Sequence, residues 1–380
     1  MDGLEQESRD AAPNDTSRGF DPIAEEMLAT ALTTHRDWRV DLNDSVNSFV
    51  FMIGVNGKTG ISPVSARSPE GVKLAKVFDR LKQEIGRRFD ELLKGGEQDS
   101  QWGEAEPVEK VESLRLEGAR RFAITVAGVR CRAQHIVGRR FHIRVTSGLI
   151  EFDSLGLPAS VKRALLGETL DDGGLVLVCG GYGSGKTSTM NAIIRERIKT
   201  RGGYALVMGD PIEYKYAGFH GTNACPGYVE QVDLAGRDLA AEVKASMRNF
   251  PAGAVSILAF PELLSSDGAG EILRSANHGS LVFCDMHASN LEAAVLNLVA
   301  KGEQDGERNS RDLLSNALKM ILHLQMRPIP SAPRGVSITF KLQQIERAHR
   351  AALSDHAMPL SRSIASIFMN ASSEVPGASR

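Results

Sequence analysis

The chain lacks most features that mark membrane-spanning, secreted or zinc-binding proteins. Its 4 cysteines include no C-x-x-C pair, so neither a disulfide framework nor a zinc module is expected. No apolar run approaches the roughly 18 residues that would indicate a membrane span. The net charge of −2 gives no overall basic signature for nucleic acid. These absences favour a protein of the reducing cytoplasm that holds no zinc and binds no nucleic acid directly.

Length and composition indicate a globular protein with more than one domain. The 380 residues, 42% apolar and 24% charged, are enough for two or three domains. The acidic N-terminus has no hydrophobic segment typical of a secretion signal. The predicted organisation is a disordered lead at 1–19, a small domain at 20–150, a linker at 151–165, a larger domain with C-terminal helices at 166–369, and a disordered tail at 370–380.

The first half is predicted to be a small mixed α+β domain. Apolar positions at helical spacing from Leu74 to Leu92 indicate an amphipathic helix. Asn56-Gly57 predicts a hairpin turn, and tight turns are expected between the later strands. The predicted strands are Phe49–Val55, Phe122–Val126, Val129–Ile136 and Phe141–Val145.

The second half alternates predicted strands and helices, which indicates a parallel sheet covered on both faces. The expected helices include Leu239–Arg248 and Leu313–Gln325. Ligands bind at the carboxyl ends of such strands. The predicted strands are Leu175–Val178, Tyr204–Met208, Val255–Phe260, Leu281–Cys284 and Val336–Phe340.

One segment predicts what the second domain binds. Residues 180–187, Gly-Gly-Tyr-Gly-Ser-Gly-Lys-Thr, match the phosphate-binding pattern G-x-x-x-x-G-K-[ST] at every fixed position. Backbone N–H groups of such a loop point at phosphate oxygens. Lys186 would reach the β- and γ-phosphates of a nucleotide, and the Thr187 hydroxyl would ligate Mg²⁺. The expected nucleotide-binding residues are Gly180, Gly183, Ser184, Gly185, Lys186, Thr187 and Ser188.

Acidic and imidazole side chains follow three other predicted strands of this domain. Asp210 and Glu213 come after the second strand, Glu262 after the third, and His287 three residues past the fourth. Because the carboxyl ends of parallel strands meet at one edge of the sheet, we expect these side chains to gather around the phosphate loop. Taken singly, each of these residues is explained equally well as a functional residue or as an ordinary polar residue at the start of a loop. Together they predict a site that polarises water beside a phosphate.

The segment from Gly173 to His287 resembles the secretion and pilus-motor ATPases, the PilT-, GspE- and DotB-like group. Residues 174–180, G-L-V-L-V-C-G, are similar to the family's strand G-L-V-L-V-T-G. Residues 209–214, G-D-P-I-E-Y, resemble its aspartate box E-D-P-I-E-[FY], and residues 279–287 resemble its histidine box G-H-L-V-F-x-x-x-H. Glu262 lies 25 residues before His287, as the family's Walker B glutamate does before its histidine.

The resemblance implies an α/β fold: a RecA-like P-loop domain with a parallel sheet, preceded by a smaller PAS-like α+β domain. It implies a homohexamer that uses ATP and Mg²⁺ and drives a secretion, conjugative-transfer or pilus complex, working in the cytoplasm against the inner membrane. Glu262 would orient the attacking water, Asp210 and Glu213 would hold the metal shell, and His287 would sense the γ-phosphate. The short first domain and missing zinc module argue against the GspE type. Divergence from the family pattern favours a DotB- or TraJ-like protein over a PilT-like one, because it suggests an accessory transfer system.

The resemblance extends into the first half. Residues 122–132 are similar to the family's hairpin F-x-V-x-G-x-x-R-x-R, and Ile143-Arg144 resembles its strand F-R-x-I-P. In the family these arginines approach the nucleotide of a neighbouring subunit. The matching positions are Arg130, Arg132 and Arg144. Their alternative interpretation is a solvated face of an exposed hairpin.

Several positions depart from the family pattern. Gly209 replaces the first glutamate of the aspartate box, Pro261 precedes Glu262 in place of glycine, and Ser280 replaces the first histidine of the histidine box. A regulatory ring subunit that binds nucleotide and hydrolyses it poorly is therefore an alternative to the motor. An unrelated P-loop kinase is a third hypothesis, although the sequence shows no arginine-rich lid.

Overall fold

The computed structural model describes residues 149–368, apart from short gaps at 210–211, 235–236, 249, 251–255, 264–265 and 329–335. Upstream it describes the backbone of six strands, and downstream it describes Val375–Pro376. The predicted lead at 1–19, the predicted helix at 74–92 and Asp210 lie outside the described residues. No helix in the described part of the chain combines the length and apolar character that a membrane span requires.

The upstream strands form one antiparallel sheet in the order β3-β2-β1-β6-β5-β4. The predicted hairpin is present, because Val55 pairs with Lys58. The turns predicted near Gly128 and Gly138 are wrong, because both glycines pair within one continuous ladder between β5 and β6. The β-branched residues around them favour a strand. The strands are β1 (His35–Asp41), β2 (Phe49–Val55), β3 (Lys58–Pro63), β4 (Glu109–Leu114), β5 (Phe122–Ala133) and β6 (Ile136–Ser147).

The downstream sheet has nine strands in the order β15-β14-β13-β7-β12-β11-β8-β10-β9. The consecutive neighbours from β13 to β10 in this order are parallel, and the outer pairs are antiparallel. The strands are β7 (Gly174–Gly180), β8 (Gly203–Gly209), β9 (Gly218–Thr222), β10 (Cys225–Asp233), β11 (Ser256–Phe260), β12 (Leu281–His287), β13 (Leu318–Pro328), β14 (Val336–Gln344) and β15 (Val375–Pro376).

Helices cover both faces of this sheet. Strand β7 shows why: Leu175 and Leu177 pack in one apolar cluster, while Val176 and Val178 pack in the other. The second cluster also contains α1 and α2, and the first contains the remaining helices. The helices are α1 (Ala159–Leu166), α2 (Lys186–Arg201), α3 (Leu239–Met247), α4 (Ala269–Asn277), α5 (Leu291–Gln304), α6 (Ser310–Ala317), α7 (Arg347–Ser354) and α8 (Leu360–Phe368).

One predicted element has the wrong structure. The helix expected over Leu313–Gln325 ends at Ala317, and the chain continues as strand β13. The apolar residues of this segment are compatible with the period of a helix and with that of a buried strand. Parallel pairing with β7 favours the strand. Met320 and Leu322 lie in one cluster and Ile321 in the other, which is the alternation of a strand buried on both faces.

The five predicted strands of this domain are present with shifted ends. Strand β12 continues beyond Cys284 to His287, and β14 continues to Gln344. The predicted helix at Leu239–Arg248 corresponds to α3. Within the tail predicted to be disordered, Val375 pairs with Phe340. Strands β9, β10 and β13 were not expected.

Candidate functional site

The glycine loop joins β7 to α2, which begins at Lys186. Gly183 and Gly185 have φ of 67° and 87°, a conformation that L side chains rarely adopt. A Cβ at either position would find no atom within 4 Å, so the space beside the loop is open there. At Gly180 a Cβ would instead lie 2.3 Å from the carbonyl oxygen of Leu324. An open glycine cradle at the start of a helix fits a phosphate group.

Lys186 lies at the base of this cradle and is 5% exposed. Its Nζ donates to the carbonyl oxygen of Gly181 at 3.0 Å and lies 3.2 Å from His287 Nδ1. Burial lowers the pKa of Lys186, and the carboxylates of Asp285, Glu262 and Glu213 oppose that shift. The cation is therefore set among several carboxylates at one end of the sheet.

His287 links Lys186 to Glu262. As an ammonium, Lys186 can only donate, so Nδ1 of His287 must accept and the ring proton belongs on Nε2. Nε2 lies 3.4 Å from Glu262 Oε1 and can donate to it. The exposed ring of Tyr182 stacks on the imidazole with 3.8 Å between centroids. The chain thus holds a lysine, an imidazole and a carboxylate in one hydrogen-bonded line beside the loop.

Strand register explains why these distant residues meet. Strand β12 pairs with β7 so that His287 lies opposite Gly180, the first residue of the loop. The sequence predicts a strand that ends at Cys284, three residues before His287, whereas the strand continues and His287 is its last residue. Strand β11 flanks β12 on the other side, and Glu262 follows it two residues after Phe260.

The backbone of Glu262 has an unusual conformation. Its φ is 63°, the one positive value at a non-glycine residue in the described part of the chain. This left-handed conformation costs about 1–2 kcal/mol for an L residue. Two hydrogen bonds to Asp285 hold it: the N–H of Glu262 donates to Oδ1 at 2.7 Å, and that of Leu263 donates to the main-chain oxygen at 3.0 Å.

Asp285 is the site residue that the sequence did not reveal. Its side chain is fully buried, and Oδ2 has no hydrogen-bond partner among the described residues. Burial raises the pKa of Asp285 to about 6. The hydrogen bonds from the Thr187 hydroxyl and the Glu262 N–H and the charge of Lys186 lower this pKa but do not offset the burial. It occupies an unspecified position of the histidine box. The available signal was an acid at the carboxyl end of an apolar run, the same signal that identified Glu262.

The segment that follows β8 is tied to α2. The hydroxyl of Tyr214 hydrogen bonds with Ser188, and that of Tyr216 donates to Asn191 Oδ1 at 2.6 Å. Asn191 in turn donates to the Thr187 carbonyl at 2.8 Å. These contacts hold the segment beside the first turns of α2, and Glu213 within it acts electrostatically on Lys186.

Lys186 and the predicted residues outside the glycine loop divide into three groups by position. Lys186, Glu262 and His287 are in direct contact, and Glu213 faces Lys186 through its charge. Asp210 and the side chains of the three N-terminal arginines lie outside what is described. No group of three or more His, Cys, Asp or Glu among the described residues is arranged to hold a metal.

Sequence comparisons relate the chain to bacterial secretion and pilus proteins. A family model described as "Type II/IV secretion system protein" matches residues 111–358. Protein YggR of Escherichia coli K12, described as uncharacterized, is 27% identical over 172 residues, covering 45% of this chain and 49% of that protein. The type IV pilus ATPase PilU of Pseudomonas aeruginosa is 26% identical over 187 residues, covering 49% and 46%. The chain spans about half the length of these curated relatives.

Solved structures confirm the fold class. The ATPase DotB of Legionella pneumophila superposes with a TM-score of 0.65 at 16% identity, covering 94% of this chain and 90% of that chain. The pilus retraction motor PilT, solved with bound ADP, gives a TM-score of 0.62 at 19% identity, covering 91% and 90%. The mixed α/β architecture with a mostly parallel sheet is therefore the RecA-like fold of these proteins.

Proposed function

Because the chain belongs to the type II/IV secretion system protein family, we propose that it binds and hydrolyses ATP as a subunit of a secretion, conjugative-transfer or pilus motor. The contact between Lys186, His287 and Glu262 beside an open glycine cradle carries this proposal. It supplies a cation for phosphate and a carboxylate for water in one place. PilU, which matches this chain over 46% of its own length, is named as a type IV pilus ATPase.

Each site residue has a separate role in the proposed reaction. Mg²⁺ bound with ATP would neutralise phosphate charge, and Thr187 is the loop residue that would hold it. Lys186 would exchange its bond to the Gly181 carbonyl for the phosphates. Glu262 would accept a proton from water, or orient that water, and the Nε2–H of His287 would fix the Glu262 carboxylate. Glu213 and Asp210 would order water around the metal.

We propose that the active form is a homohexameric ring at the cytoplasmic face of the inner membrane. In it, N-terminal arginines would reach a neighbour's nucleotide and couple hydrolysis to ring closure. Arg130 and Arg132 lie on β5, and Arg144 pairs with Thr125 of that strand. All three are proposed for the trans role. Native mass measurement with and without a non-hydrolysable ATP analogue tests the ring.

A second candidate is a regulatory subunit that binds nucleotide with little turnover. Strand β8 ends at Gly209, which has no side chain to polarise water, and the carboxylate of Glu262 is engaged by His287. Both observations favour slow hydrolysis.

Steady-state ATPase and binding assays separate the two functions. Lys186→Ala is expected to abolish nucleotide binding, with the exposed Lys244→Ala on α3 as its control. Glu262→Gln is expected to retain binding and to lower kcat by roughly 10²–10⁴, the range for loss of a general base. Its control is Glu292→Gln on α5.

Wild-type turnover no faster than that of Glu262→Gln would exclude the motor and favour the regulatory subunit.

We further propose a DotB- or TraJ-like transfer system over a PilT-like one, since the departures at Gly209 and Ser280 suit a specialised machine. Deletion of the chain in its host, followed by separate assays of plasmid transfer and of surface twitching, tests this assignment. Loss of twitching alone would contradict it.

A further inference from the structure

Asp285 is a buried carboxylate with one oxygen engaged and one oxygen unused. Oδ1 accepts the N–H of Glu262 at 2.7 Å. Oδ2 has no hydrogen-bond partner among the described residues, and the side chain has no exposed surface. Burying a polar atom without a partner is costly, so an unpartnered oxygen here calls for a ligand that binds during function.

The surroundings of Asp285 indicate what that ligand is. It pairs with Val178, two residues before the loop begins, and so lies behind the glycine cradle. The hydroxyl of Thr187 adjoins the carboxylate, and the charge of Lys186 acts on it. Thr187 is the residue that would hold Mg²⁺ on the nucleotide. The carboxylate is therefore next to the residue that would hold the metal.

We propose that Asp285 binds the magnesium ion of the bound nucleotide through the waters of its coordination shell, with Oδ2 as the accepting atom. This inference rests on the proposed ATP binding. Mg²⁺ keeps several waters when bound and is commonly held by one or two carboxylates together with phosphates. Asp285 thereby supplies, from β12, a negative charge that Gly209 at the end of β8 cannot supply.

A purely structural role does not account for this side chain. Holding the N–H of Glu262 needs one acceptor oxygen, and an asparagine amide provides it. The second oxygen has no hydrogen-bond partner among the described residues, and the negative charge acts on Lys186 without a hydrogen bond to it that the structure shows. Substitution by asparagine can therefore remove the negative charge of Asp285 and keep the acceptor that holds the N–H of Glu262.

The test measures dissociation constants of a fluorescent ATP analogue with Mg²⁺ and with EDTA. Asp285→Asn keeps the acceptor for Glu262 and removes the charge. We expect it to reduce the tightening of binding by Mg²⁺ by about 10–100-fold, the usual cost of losing an outer-shell partner of a metal. In EDTA it should bind the analogue at least as tightly as wild type, because a negative charge near the phosphates has been removed. Asp312→Asn on α6 is the matched control.

The outcomes separate this inference from the proposed function. Equal weakening of binding with and without Mg²⁺, or no change in either, would overturn the inference alone. Failure of wild type to bind the analogue under both conditions would overturn the proposed function and this inference with it. Asp285→Ser, which is neutral and smaller, provides a second variant, and thermal unfolding verifies that each variant is folded.

Discussion

The phosphate loop and the strand tips beside it are two halves of one site with different relations to the sequence. The loop matches its motif at every fixed position, and its glycines have the backbone angles and open space that the motif implies. The strand tips depart from the family at Gly209, Pro261 and Ser280, and there the structure shows a left-handed glutamate and an unexpected buried acid. A sequence motif therefore predicts the geometry of a site reliably where backbone atoms alone would contact the ligand. Where side chains would contact it, substitutions at neighbouring positions change the role of each residue.

The largest expected effect is steric and lies in the loop. Gly180→Ala would place a Cβ 2.3 Å from the Leu324 carbonyl oxygen, between paired strands that cannot move apart cheaply. We expect a loss of about 3 kcal/mol in the free energy of unfolding, measured by urea denaturation. Gly183→Ala is the control: it meets open space and has only the cost of its φ of 67°, about 1–2 kcal/mol. Equal losses in the two variants would show that the backbone at Gly180 and Leu324 moves enough to accommodate a Cβ.

At the strand tips the expected effect has the opposite sign. Asp285→Asn keeps the acceptor for the Glu262 N–H and removes a fully buried charge. We expect the nucleotide-free protein to gain about 1–2 kcal/mol, because an incompletely paired buried charge costs stability. Thermal unfolding without nucleotide, beside the exposed Asp312→Asn, measures the change. A lower unfolding temperature for Asp285→Asn would mean that its electrostatic attraction to Lys186 stabilises the empty site.

How far the sequence could predict the site depends on which contacts are local. The strand and the phosphate loop before Lys186 are local in sequence, and the sequence predicts both with their residues. The positions of Glu262 and His287 followed from one rule about strand ends, although His287 ends β12 instead of following it. Asp285 was missed because its burial depends on β7 and β11, which flank it and are distant in sequence. The helix expected at Leu313–Gln325 was wrong for a related reason, since pairing with β7 outweighed an ambiguous apolar pattern.

A smaller effect tests whether Glu262 is strained for function. Glu262→Gly and Glu262→Ala both remove the carboxylate, but only glycine adopts a φ of 63° without penalty. We expect the glycine variant to be about 1 kcal/mol more stable than the alanine variant, with neither hydrolysing ATP. Paired urea denaturation curves give the difference. If the alanine variant is the more stable of the two, the left-handed conformation is not a significant cost, and the hydrogen bonds that Asp285 accepts from this segment do not compensate for one.

The smallest expected effect defines the outer limit of the site. Tyr182 is 79% exposed and stacks on His287, so it lies at the junction of the loop and the strand tips. Tyr182→Ala should change stability by less than about 0.5 kcal/mol, as surface substitutions usually do. Because Lys186 and Glu262 already hold both ring nitrogens of His287, the loss of stacking should leave ATP turnover close to that of Phe219→Ala, an equally exposed control on β9. A marked fall in turnover for Tyr182→Ala alone would show that the loop tip sets the position of the imidazole, and the two halves of the site would then act as one.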